Sequence, residues 1–296
     1  MIKKISWIIL ILFFCFSNTS EAAKKKKPRF KPYYLVSAQA SDFSSLVTQT
    51  RDKINSSDFK LVGDFSPYQK AHIFVLTHDK LLESAASSDF GGYGAAIRVA
   101  ITETDKGVQL SYVNPVYMAN VYHIPEVAEV SAGLESLFGE SEPAGSKRGI
   151  TKRSLKNYQY MMFMPEFDDH DKLGSFDSHQ QALATVNHHL DAGTYKLTKV
   201  FQIAVPGKDE VLIGVSINEG LGADTVVMPL VDIGDFKHTA HLPYAILVSG
   251  DDVYSQAGKF RIALAFPDLT MGTFMDISDA PDAIKDTLKQ LTTKTD

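Results

Sequence analysis

The chain reads as an α+β protein built from two tandem copies of one small module, each a mainly antiparallel sheet with flanking helices, the pair related by a pseudo-twofold axis. Three observations predict this. Two ungapped nine-residue stretches, Val116–Ile124 and Leu269–Ile277, each follow a strand-like run ending in proline (VQLSYVNP, then FRIALAFP) and lead into an amphipathic helix. Self-similarity of this kind decides architecture before any motif is read. The elements before each stretch also recur in one order, and helices bracket the strands in both halves, which argues α+β.

The first copy, residues 33–139, opens on the apolar strand Tyr33–Ala38. A helix follows from Asp42, with Asp42 or Ser41 as N-cap and Phe43, Leu46, Val47 and Ile54 on one stripe. Phe59–Val62 and Ile73–Leu76 are strands, and Lys80–Ala86 is a short helix that the glycines of Gly91–Gly94 break. Ala95–Thr102 and Val108–Val113 alternate and pair across the turn at Asp105–Gly107. A helix from Glu126, with Val127, Val130, Leu134 and Leu137 in register, closes the unit. Residues 140–157 carry Pro143, Gly145, Gly149 and five basic residues, and read as a linker.

The second copy, residues 158–296, repeats the order. Its expected strands are Tyr158–Pro165, Tyr195–Leu197, Val211–Ile217, Tyr244–Ser249 and Phe260–Phe266. Its helices start after Asp177 (Leu183, Val186, Leu190) and at Pro281 (Ile284, Leu288, Leu291). The extra length falls in a loop around Asp224–Leu242.

Ahead of both copies, residues 1–23 have the form of a secretory signal peptide. Lys3 and Lys4 precede an apolar core, Ile5–Phe16, and Ser20-Glu21-Ala22 is a small-x-small cleavage pattern. The core is shorter than the ~20 residues of a membrane-spanning helix. An exported, periplasmic protein is therefore expected. Its only cysteine, Cys15, and only tryptophan, Trp7, leave with the signal, which removes disulfides, thiol nucleophiles and thiolate metal sites.

The full chain has 30 basic and 35 acidic residues; without Lys3, Lys4 and Glu21 it has 28 against 34, a net of −6. Six of those basic residues (Lys24–Lys27, Arg29, Lys31) precede Tyr33, so the body carries 22 against 34, or −12. Such a body repels phosphate backbones, which argues against nucleic acid as a partner. Residues 24–32 read as a basic, disordered leader, whose membrane contact would be at most a tether to anionic lipid.

The element order resembles domain of unknown function family 302, a small bacterial α/β domain. The similarity lies in Phe43-Ser-Ser-Leu46-Val47, Phe59-Lys-Leu-Val62, Tyr93–Val99 and Val113-Asn-Pro115, and in the second copy in His241-Leu-Pro243 and Phe266-Pro267. The resemblance implies a fold that typically forms dimers and names no reaction. Cysteines that family members carry beside their proline motifs are missing here, so a thiol-based role does not transfer.

Functional residues are sought by chemistry. No G-x-S-x-G elbow presents a serine, and Gly91–Gly94 lacks the Lys-Ser/Thr and the following helix of a phosphate loop. His238 and His241, three apart, and Asp168 with His170 are the metal candidates, although their spacings fit ligand patterns loosely. Met118, Met161, Met162, Met164, Met271 and Met275 read as core gap-fillers. No cofactor is implied.

The two copies differ in one respect. Ala96, Arg98 and Ala100 share a sheet face with Gln109 and Ser111, followed by Asn114, Tyr117, Tyr122 and His123. In the second copy the matches are Leu247 for Arg98 and Asp276 for His123. This set predicts a ligand groove in which Arg98 grips an anion and Tyr117 and Tyr122 supply walls. The expected function is a binding or accessory protein for a small anionic or aromatic ligand, acting as a monomer or weak dimer. An envelope protein–protein interaction module and a metal-dependent hydrolase are the alternatives.

Overall fold

The computed structural model describes residues 27–36 and 42–294. The signal peptide, Lys24–Lys26 and Ser41 lie outside these residues. In chain order the elements begin with β1 (Arg29–Phe30), β2 (Tyr33–Val36), α1 (Phe43–Asn55), β3 (Lys60–Phe65), β4 (Ala71–Thr77), α2 (Asp79–Ala86), β5 (Ile97–Thr104) and β6 (Gly107–Val113). Next come α3 (Pro115–Val121), α4 (Ala128–Phe138), β7 (Ser141–Ala144), β8 (Ile150–Thr151) and α5 (Lys152–Lys156). The second half has β9 (His170–Ser175), α6 (His179–Asp191), β10 (Leu197–Ala204), β11 (Glu210–Ile217) and α7 (Asp224–Val231). It ends with β12 (Tyr244–Ser249), β13 (Asp252–Gln256), α8 (Gly258–Ala265), α9 (Met271–Asp276) and α10 (Ala280–Lys289). Every strand pairing among the described residues is antiparallel, so the chain is α+β.

The first sheet runs β3-β4-β5-β6-β2-β7 and the second β10-β11-β12-β13-β9. Both outer hairpins carry one bulge at a corresponding place: the β3–β4 register shifts between Leu61 and Gly63, the β10–β11 register between Lys199 and Phe201. A bulge bends and twists its strand, and the two bulged edges lie against one another. An ideal Cβ on Gly63 would stand 3.0 Å from Phe201 Cβ. One apolar core runs through both halves.

Several local expectations hold. Asp42 caps α1 by accepting from Ser45 N–H at 3.0 Å, and α2, β4, β5, β6, α6, β11, β12 and α10 stand where periodicity put them. Others do not. Phe260–Phe266 is not a strand: all its side chains are buried and residues 260–265 belong to α8. A continuous apolar run carries no period that separates a buried strand from a buried helix. The sheet position expected of it belongs to β13, whose five residues alternate weakly.

Tyr158–Pro165 is also not a strand. Met164 N–H bonds Met161 O at 3.0 Å and Gln159 Nε2 bonds Met164 O at 2.7 Å, closing a turn in which Phe163 has φ +69°. The opening strand of this half is β9. The 140–157 segment is no free linker, because β7 pairs with β2 and β8 with β1. Arg29–Phe30 thus leaves the leader for a strand, with Arg29 Nε donating to Arg148 O at 3.0 Å. Helix α7 occupies what read as a loop.

Candidate functional site

The two halves meet through turns that each lay on the other's sheet. On the first sheet the face of Arg98, Ala100 and Thr102 is low, because Ala100 stands opposite Ser111. The 3₁₀ turn Thr239–His241 of the second half packs there, with Thr102 Oγ1 donating to Thr239 Oγ1 at 2.7 Å. In the other direction, the 3₁₀ turn Gly91–Gly94 lies on β11 and β12. The Glu210 carboxylate accepts Phe90 N–H at 3.2 Å and Gly92 N–H at 3.1 Å. The approach is close at Gly92, where a Cβ would stand 2.6 Å from Leu247 Cδ1 and force that side chain to shift.

That docking overturns the open groove. Arg98 is 3% exposed, and Asn114, Tyr117 and Tyr122 are buried with it. The small residues that read as a groove floor are what lets the opposite turn approach. Asn114 Oδ1 caps α3, accepting Val116 N–H at 3.0 Å and Tyr117 N–H at 3.3 Å, while its Nδ2 donates to Lys31 O at 2.9 Å. Tyr117 Oη donates to Leu264 O at 3.1 Å and Tyr122 Oη to Gln256 Oε1 at 3.5 Å. Only His123 reaches the surface, where its ring Nε2 meets Lys156 O at 2.7 Å.

The seam has a chemical oddity. Among the described residues Arg98 has no carboxylate within ion-pair distance and makes no side-chain hydrogen bond, and its buried Nε is without a partner. Burial, with the Arg261 guanidinium nearby, holds its proton affinity down to a pKa of about 10. Arg261, on α8 and 4% exposed, donates from Nη2 to His241 O and leaves Nη1 unpartnered. Tyr33 Oη and both ring nitrogens of His241 are likewise buried without partners. Burial raises the Tyr33 hydroxyl above its usual range. It also pushes the His241 imidazole well below its own, with Arg261 and Arg98 adding to the effect. Buried polar groups are nearly always satisfied, so this concentration marks the seam. Sequence reading missed Arg261; the signal available was one arginine inside an otherwise apolar F-R-I-A-L-A-F run.

Beside the seam a cleft of 550 Å³ opens between the β7 segment, the α7 exit and the start of α9, lined by Lys31, Lys147, Ile233, Phe236, His238 and Thr273 among others. His238 Nδ1 lies 2.8 Å from Asp232 Oδ1, its Nε2 3.2 Å from Gly145 O. Phe266 separates cleft from seam, its ring 4.6 Å from His238 and 5.4 Å from His241. The two histidines therefore face different surroundings and do not converge. Asp168 is exposed, whereas His170 stacks on Phe90 at 4.3 Å. Among the described residues no three His, Cys, Asp or Glu side chains gather as a metal site.

A second surface feature was not legible. Met161, Met162 and Phe163 project from their turn, 74% and 93% exposed at the last two, and Met271 and Met275 are exposed on α9 nearby. Tyr160 ties the two by stacking on Phe274 at 6.2 Å. Of the methionines read as core, Met118 is buried and these four are not. Among the described residues no helix is long and apolar enough to cross a membrane. The chain matches no family model, no curated protein and no solved structure.

Proposed function

We propose that the chain is an exported, periplasmic binding or accessory protein that seats a small anionic ligand at the seam between two tandem copies of one module. One observation carries the ligand reading: Arg98 is a buried cation with no acid beside it. An unpaired buried charge is costly to a fold that gains nothing from it, and a guanidinium suits carboxylate or phosphate recognition. The tandem reading is supported by the shared strand order, the bulges at corresponding places and the reciprocal turn docking. In that scheme α3 corresponds to α8 by element order, so the nine-residue match that pairs it with α9 is displaced. Matching the two bulges and reading across the β4–β5 and β11–β12 registers pairs Arg98 with Ala245 in that scheme and not with Leu247. The resemblance to domain of unknown function family 302 adds a fold expectation on motif grounds alone.

Native mass spectrometry of protein taken from its own exported compartment tests the reading. A stoichiometric extra mass that Arg98→Met abolishes is expected. A clean mass, with no small anion shifting the melting temperature, would sink it. A second reading, an envelope interaction module, is favoured by the exposed Met161–Phe163 turn and α9, because contiguous apolar surface marks partner sites. A metal-dependent hydrolase on His238, His241, Asp168 and His170 has no converging trio behind it among the described residues.

A further inference from the structure

We infer that the seat is bipartite: Arg98 from the first half and Arg261 from the second hold one compact dianion, with the Tyr33 hydroxyl and the His241 ring completing its shell. This rests on the reading of the seam as a ligand site and specifies the ligand's charge. Both guanidiniums are more than nine-tenths buried, neither has a carboxylate partner among the described residues, and each presents an unused N–H, Arg98 Nε and Arg261 Nη1. The Thr239–His241 turn brings them together. Arg261 bonds its terminal carbonyl, and Arg98 lies on the sheet face that the same turn covers, along the strand from the Thr102–Thr239 hydrogen bond.

Charge balance fixes the class. Arginine stays protonated in proteins, so the pair cannot shed its charge as a buried lysine would. Asp232, whose charge bears on Tyr33, is already engaged: its carboxylate accepts His238 N–H at 2.9 Å and faces that ring. Two cations in one dry layer repel one another unless something between them carries two negative charges. A monoanion would leave one guanidinium uncompensated, and water would leave both. The planar N–H forks suit the paired oxygens of a phosphate, a sulfate or a dicarboxylate. A neutral imidazole and a phenol each add one donor to such an oxygen.

Thermal melts of the mature protein at matched ionic strength test this, with sulfate, inorganic phosphate, succinate, acetate and chloride as probes. Anything that binds only the folded state raises its melting temperature. At least one dianion should raise it above acetate and chloride, and Arg98→Met and Arg261→Met should each weaken that dianion at least tenfold. Free of ligand, both variants should be as stable as the parent or more so, because a repelling cation is gone. Acetate matching the dianions, or a response that survives Arg261→Met and not Arg98→Met, would overturn the bipartite seat and leave a one-arginine anion site intact. No anion response, together with an anion-free native mass, would remove both readings. Should a methionine variant fail to fold, the anion series and the native mass of the unaltered protein decide alone.

Discussion

Glu210 is where the two halves are most directly joined, and removing its carboxylate measures that joint. Its oxygens accept Phe90 N–H at 3.2 Å and Gly92 N–H at 3.1 Å, and Lys208 Nζ lies 3.2 Å from Oε1. Glu210→Ala strands both backbone donors. Hydrogen bonds to charged groups contribute roughly 1.5–3 kcal/mol each. The two distances are at the long end and Phe90 is only partly buried, so the lower figure applies, about 3 kcal/mol in all. Lys208 adds little, since an ion pair near the surface is worth about 0–1 kcal/mol and its ammonium keeps Ser88 O. Glu210→Gln retains one acceptor and should cost about half as much, roughly 1.5 kcal/mol. Gly92→Ala attacks the joint from its other side. Its methyl would sit 2.6 Å from Leu247 Cδ1 and 3.1 Å from Glu210 Oε2, an overpacking worth about 1–3 kcal/mol. Urea titrations followed by circular dichroism read each loss, and the double variant should cost less than the sum because both act on one contact. A Glu210→Ala protein within about 0.5 kcal/mol of the parent would refute the joint as an energetic feature of the fold.

Three further outcomes follow from particular groups. Asp224 is buried, with Ser216 Oγ donating to Oδ2 at 2.8 Å and Oδ1 unpartnered, and burial raises its pKa to about 7. Between about pH 4 and pH 7 the folded state therefore holds a proton that the unfolded state releases, so stability should fall as pH rises through that window. Asp224→Asn should remove that slope and gain on the order of 3 kcal/mol at pH 8, read as urea midpoints at pH 5 and pH 8. Asn114→Ala removes the cap of α3 and the Lys31 contact together, and should cost about 2 kcal/mol in the same assay. Phe163→Ser and Met162→Ser should leave stability within about 0.5 kcal/mol and, on the interaction reading, reduce concentration-dependent association in sedimentation velocity; unchanged association would count against that surface.

What could be read in advance follows from which physical signal each segment carries. The stripe Leu46, Thr50 and Ile54 of α1 and the alternation of β5 show through because each element has one wet and one dry face, or one face per layer. Helix α8 does not, since burial on all sides erases its period. The Tyr158–Pro165 run misleads for the opposite reason: its composition is that of a core strand, yet past the buried Tyr158 its Met161, Met162 and Phe163 side chains face outward from a turn. Asn114 was open to a plainer reading, as Asn-Pro at a strand end is a helix start with the proline at its first position. Arg98 was marked by chemistry, as the one cation among small residues. Its surroundings were beyond reach because a sheet face says how closely something can approach and not what does. The covering turn lies 137 residues away along the chain at the Thr102–Thr239 contact.

That contact also explains why the seam is asymmetric. Under the proposed duplication the ancestral arrangement would be a symmetric dimer, in which each sheet face receives the same turn and any cation appears twice, once per copy. Joining the copies in one chain lets the faces diverge. In that scheme the first sheet face has Arg98 where the second has Ala245, and the Gly91–Gly94 turn closes on Glu210 where Thr239–His241 closes on Thr102. One crossing is thereby a clasp, with a carboxylate on backbone N–H groups, and carries no orphaned cation. The other holds both arginines and the unsatisfied His241; Tyr93 Oη and His170 Nε2 are buried without partners beside the clasp, but no guanidinium is among them. A fold that needed only cohesion would be served by two clasps. Unpaired guanidiniums at one crossing, and a carboxylate seated on backbone N–H groups at the other, are the division expected of a protein that uses one junction to hold itself together and the other to hold something else.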